Sequence, residues 1–190
     1  MAKRTVKKLA KETNAAERLG KALAKRTKCE LIEVLVEFAR DDRSLLRRLE
    51  AQFEVEAPPK ELVAATRQAI ADATDFDERE INYNFDYDYE AYEQVKRNLT
   101  ELVKLGQLRA AMELSLELMK QGSYQMEMSD EGLMSHDIEE CFKPVLKAIK
   151  KCDIPKDEKI AWCDAMHKSD RVGCICRQEL ETLKKSISHA

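Results

Sequence analysis

Glycine and proline are scarce in this chain, at five and four of 190 residues. So few turn-forming residues exclude a sheet protein with many tight turns, and the abundance of Ala, Leu, Glu, Lys and Arg favours helices. No apolar run reaches about 18 residues, so no membrane span is expected. The basic N-terminus lacks the apolar core of a secretory signal. Six cysteines are too dilute for a disulfide scaffold, and a reducing cytoplasm is the expected setting. No C-x-x-C, G-x-S-x-G, Walker loop, H-E-x-x-H or dinucleotide glycine motif occurs, and the sequence carries no recognisable catalytic constellation. The expectation is a chain that is not an enzyme and needs no cofactor.

What is present is charge, unevenly placed. Residues 1–28 hold ten Lys/Arg against Glu12 and Glu17, a balance of +8, so the remaining residues carry −11 of the net −3. Lys3, Arg4, Lys7, Lys8 and Lys11 are the candidate contacts to a polyanion such as nucleic acid; the alternative is a solvated, loosely ordered tail over 1–13. From Asp72 to Glu93, nine acids face one base, Arg79.

The body from 14 to 190 reads as one all-α domain of about nine helices. Stacked antiparallel helical hairpins would form a degenerate solenoid-like bundle of tetratricopeptide or HEAT kind, with halves 14–75 and 88–190 joined by 76–87. Thr27 and Glu30 have capping-box spacing. The helix they open is apolar around most of its circumference (Leu31, Ile32, Val34, Leu35, Val36, Phe38), which predicts a nearly buried central helix. An Asp cap at Asp41-Asp42 opens a third helix with Leu45, Leu46, Leu49 and Phe53 inward, and Pro58–Pro59 suits the first turn of a fourth that ends near Thr74. Tyr92, Val95, Leu99, Leu102 and Val103 share one face of the next, which Gly106 closes as a left-handed cap. The helix after it has an apolar arc wide enough to require packing on two sides, and Gly122 is expected to end it. A further helix spans about Ser135 to Cys152 with Pro144 inside.

Three clusters invite a functional reading. Cys163 and His167 lie at i, i+4 and share a face; with Cys174 and Cys176 they could form a Cys3His zinc site. Cys174 and Cys176 point about 160° apart on a helix, so only a loop turned at Gly173 would converge them. Cys176 also falls in register with Leu180, Leu183 and Ile187, and Cys141 and Cys152 with Ile138 and Phe142, as core residues. In the acidic segment, Asn82, Asn84, Asp86, Asp88, Glu90 and Glu93 take EF-hand positions, but Tyr87 stands where the loop needs glycine. Tyr83, Phe85, Asp86, Tyr87, Asp88 and Tyr89 are better read as a surface for a basic protein partner, or as an aromatic plug with Asp88 capping the following helix.

The Asp-Tyr-rich lead-in, the Leu102-to-Gly106 turn, the Ser129–Gly132 loop before a long helix and the Asp170–Gly173 turn give the chain a family likeness. Over roughly 30–185 it resembles the α-helical region that accompanies SWIM zinc fingers in a family of bacterial proteins. The resemblance implies a degenerate repeat scaffold; the finger itself would contact nucleic acid or protein. That finger needs C-x-C followed by C-x-H, and this chain has Cys174-Ile175-Cys176 with no C-x-H after it. The expected function is therefore a non-catalytic helical scaffold or protein-interaction module. A nucleic-acid accessory protein and a zinc-binding protein are the alternatives.

Overall fold

The computed structural model describes residues 17–53, 58–79, 87–129 and 135–189. Among them are nine helices and no strand, as the composition predicts. They are α1 (17–23), α2 (Lys28–Asp41), α3 (Arg43–Phe53), α4 (Pro59–Thr74), α5 (Tyr89–Lys104), α6 (Leu108–Met128), α7 (Ser135–Ile149), α8 (Lys156–Ser169) and α9 (Arg177–His189). Contacts divide the chain into two compact units, Met1–Phe53 and Glu54–Ala190. No helix among the described residues is long and apolar enough to cross a membrane.

In the first unit the helix starts form where the sequence places them. Thr27 Oγ1 accepts from the Glu30 N–H at 3.3 Å, and the Glu30 carboxylate accepts from the Thr27 N–H at 2.7 Å. This reciprocal capping box satisfies two otherwise orphaned donors of α2. Asp42 Oδ1 accepts from the Leu45 N–H at 3.1 Å and starts α3 after a one-residue break. Within this unit, among the described residues, the expected burial does not follow. Ala39 is buried, but Ile32, Val34, Leu35, Val36 and Phe38 are 41–57% exposed. On α3, Leu46 and Phe53 are exposed as well, at 40% and 64%. Within this unit α3 packs on α2 and covers the Ala39 side. An apolar circumference shows that a helix can be buried all round, not that its own unit supplies the cover.

The second unit has a continuous core. α4 packs on α5 and α6, α5 on α7, α6 on α7 and α8, and α8 on α9. Ile70, Tyr92, Leu99, Leu102, Leu114, Leu118, Met119, Ile138, Phe142, Ile149 and Met166 are fully enclosed. Pro59 begins α4, where its missing N–H costs nothing. Gly106, at φ +73°, lets α5 end in a Schellman turn: the Gln107 N–H donates to Leu102 O at 2.8 Å and the Gly106 N–H to Val103 O at 3.1 Å.

α6 does not end at Gly122. It runs on to Met128, and its wide apolar arc meets α4, α5, α7 and α8. A Cβ at Gly122 would lie 2.7 Å from Ile138 Cδ1. This glycine therefore serves a close approach of α7, not a cap. α7 stops at Ile149, continuing through Pro144, so Cys152 lies beyond it in a turn, half-buried rather than on the core stripe.

Candidate functional site

The cysteine–histidine cluster is dispersed by the fold. Cys163 is fully buried on α8 with Met166, and His167 is half-buried one turn on. Asp170 ends α8, and its carboxylate accepts from the N–H groups of Val172, Gly173 and Ile175 at 3.1, 3.0 and 2.9 Å. With Gly173 at φ +70°, that cradle builds a turn which leaves Cys174 exposed and folds Ile175 and Cys176 inward. Cys176 sits at φ +50°, and its carbonyl accepts the first α9 bond from Leu180. It joins Leu180, Leu183 and Ile187 in the core, as their register predicts.

Burial pushes the Cys163 thiol up to about 11 and the Cys176 thiol up to about 12. Cys174 is also raised, by partial burial first and by Asp170 and Glu139 next. Burial thus holds Cys163 and Cys176 as thiols at neutral pH. Among the described residues no group of three or more His, Cys, Asp or Glu is placed to hold a metal ion.

The acidic–aromatic segment is described only from Tyr87 onward. Tyr83, Phe85 and Asp86 lie outside the described residues, as do Asn82 and Asn84 and the basic set Lys3, Arg4, Lys7, Lys8 and Lys11. Tyr87 is an anchor: its hydroxyl donates to Asp137 Oδ2 at 2.7 Å, and its ring meets Tyr92 edge-on at 6.0 Å. Partial burial and that carboxylate raise its phenol to about 12. Asp88 caps α5, its Oδ1 accepting from the Ala91 N–H at 2.9 Å. Tyr89 alone of the three is exposed, at 52%, with its hydroxyl 3.3 Å from Glu93 Oε1. Tyr87 and Asp88 thus fasten the start of α5 and tie it to α7. Behind them the buried Tyr92 hydroxyl donates to Gln125 Oε1 at 2.6 Å, and Gln125 Nε2 donates to Ala73 O at 3.2 Å. This polar line ties α5, α6 and α4 together with every member satisfied.

Two surface features escape the sequence motifs. One lies between α6 and α8, where Lys120, Gln121 and Tyr124 face Lys168, Ser169 and Arg171 across a shallow groove. There the Arg171 guanidinium stacks 4.7 Å from the Tyr124 ring centre and pairs with Glu127, so part of the groove's positive charge is already neutralised. The other is the apolar surface of α2. Its residues were visible in sequence, but their exposure was not. It is the larger departure from an ordinary protein surface, because exposed apolar residues are normally scattered singly.

The fold and these surfaces define an all-α protein with a closed helical unit and a helical unit rich in exposed apolar side chains. Compared with known proteins, the chain matches no family model, no curated protein and no solved structure.

Proposed function

We propose that this protein is a helical scaffold whose α2–α3 unit docks a protein partner. The observation that carries the reading is the exposure of five large apolar side chains around α2, Ile32, Val34, Leu35, Val36 and Phe38, each at least 41% exposed. An apolar helical surface of this kind is the usual donor or acceptor in helix-mediated docking. The second unit supplies rigidity, with a core of Leu, Ile, Met and aromatic side chains and satisfied polar cross-links. The helical scaffold implied by the SWIM-associated resemblance agrees with this role.

A dye that fluoresces on apolar surfaces tests it. At sub-micromolar chain concentration, anilinonaphthalene sulfonate should bind the native chain. Val34→Glu with Phe38→Glu should remove most of that signal while the helical circular-dichroism spectrum is unchanged. Absence of dye binding by the native chain would contradict the reading.

The charge asymmetry supports a second reading, contact with nucleic acid through Lys3, Arg4, Lys7, Lys8 and Lys11. That binding would weaken steeply with salt and disappear on deletion of residues 1–13. No retention of nucleic acid at low salt removes it.

A further inference from the structure

We propose that the lysine-rich turn between α7 and α8 is a contact surface for the phosphate backbone of a nucleic acid. It belongs to the second unit and is separate from both the α2 side chains and residues 1–13.

The first observation is unpaired positive charge. The buried side of α7 carries Ile138, Cys141, Phe142, Val145, Leu146 and Ile149. Lys143 and Lys147 stand on the opposite side at i, i+4. Lys150 and Lys151 follow in the turn, where the Lys151 N–H donates to Ala148 O at 3.0 Å, and Lys156 begins α8. All five are exposed. Lys143 pairs with Glu140. Among the described residues no carboxylate pairs with Lys147, Lys150, Lys151 or Lys156. The buried Lys159 Nζ donates to Cys152 O at 2.7 Å, a carbonyl of this turn rather than a carboxylate.

The second is contrast. Residues 143–159 carry six Lys against Asp153, Asp157 and Glu158, a net of +3, and Glu158 is already held by Arg109. Residues 54–190 as a whole carry 19 Lys/Arg against 28 Asp/Glu, a net of −9. A polyanion is therefore repelled by most of this unit and drawn to the turn.

The third decides the class of partner. From Lys147 to Lys156 no large aliphatic or aromatic side chain is exposed: Ile149 is buried and Ile154 half-buried. A protein partner needs a desolvated anchor, and a membrane surface needs an apolar side chain to insert. A phosphate backbone needs neither, because release of its counterions drives binding to lysine alone. Lys147 to Lys151 cover about 6 Å along the helix direction, against one charge per about 3.4 Å of strand. Lysine is a point charge without the planar fork of arginine, which suits contacts that ignore base sequence.

The test is fluorescence anisotropy of a labelled mixed-sequence DNA duplex between about 50 and 200 mM salt. One variant carries Lys147→Gln, Lys150→Gln and Lys151→Gln. A control carries Lys120→Gln, Lys168→Gln and Lys185→Gln, the same change in net charge at exposed lysines elsewhere. All six side chains are exposed, so both chains should keep the wild-type circular-dichroism spectrum. Loss of three phosphate contacts should flatten the slope of log affinity against log salt by about 2.7 and weaken binding at low salt at least about 10-fold. The control should stay within about 2-fold of wild type. A chain lacking residues 1–13 should still bind, and still lose binding on the three α7-turn changes. No binding of the duplex at low salt overturns the proposal. So does binding that vanishes with residues 1–13 and ignores the turn lysines, or equal weakening in the control. Poly-glutamate or phosphatidylserine vesicles held more tightly than the duplex would overturn it in favour of an acidic protein or a membrane surface. The docking reading of α2 is untouched by any of these results.

Discussion

Replacing Gly122 with alanine separates two opposing effects of known size. Alanine inside a helix gains about 1 kcal/mol over glycine, and Gly122 lies well inside α6. Against that, the new Cβ would sit 2.7 Å from Ile138 Cδ1, 3.2 Å from Ile138 Cγ1 and 3.8 Å from the Tyr92 hydroxyl. Ile138 is fully buried and has no open space to turn into. Overpacking of this kind costs about 1–3 kcal/mol, so the net expectation is a loss of about 1 kcal/mol. Trimming the contact should reverse the sign. In an Ile138→Val background, which itself costs about 0.5–1.5 kcal/mol, Cδ1 is gone and Gly122→Ala should be neutral or stabilising. The coupling in the double-mutant cycle should be about 1–2 kcal/mol. Urea unfolding followed by the single Trp162 reads the second unit directly, since this side chain is buried on α8 and donates to Met112 O of α6 at 2.9 Å. A Gly122→Ala chain more stable than wild type, with no coupling to Ile138, would refute the close-approach account.

Other perturbations probe the remaining elements. Gly106→Ala forces a side chain into φ +73° and should cost about 1–2 kcal/mol in the same urea assay, although nothing crowds the position. Tyr92→Phe strands a buried Gln125 oxygen and should cost about 1–3 kcal/mol, more than Tyr87→Phe, whose Asp137 partner is only part-buried. In native buffer an aromatic disulfide reagent should titrate Cys29 first and the exposed Cys174, whose thiol is held up by partial burial and nearby acids, more slowly, while Cys141, Cys163 and Cys176 react only on unfolding. Those buried thiols also predict an alkaline limit. Cys163 and Cys176 titrate near 9 when unfolded but near 11 and 12 when folded, so above pH 9 the unfolded chain binds fewer protons than the folded one. Their contribution is complete below pH 9 and lost as pH rises through 11 and 12, and the urea midpoint should fall over that window.

Local chemistry was the legible part of this sequence. Thr27 with Glu30, the Asp41-Asp42 pair, Asp88, Pro59 and Gly106 each act through neighbours a few residues away, so their spacing suffices to place helix ends, with Asp42 the member of its pair that caps. Gly122 was opaque because the same residue type serves a cap and a close approach, and only the crossing of α7 at Ile138 decides between them. Tyr87 and Asp88 had the composition of a contact surface, but their partners, Asp137 at a distance in sequence and Ala91 close by, make them fasteners. For α2 the apolar pattern was correctly visible and the inference of burial was not. Periodicity measures how much surface a helix can lose to packing, while the cover for Val34 or Phe38 has to come from somewhere the helix itself does not specify. The cysteine cluster was half legible: angular positions along the helices separated Cys174 from Cys176, and the Asp170 cradle that fixes their turn was not foreseeable from spacing.

Hydroxyl-radical footprinting of the phenylalanines tests the interaction role most directly. Phe38, 57% exposed on α2, should be oxidised many-fold faster than the fully buried Phe142. Phe38 protected as strongly as Phe142 would contradict it, because α2 would then have no apolar surface to offer a partner.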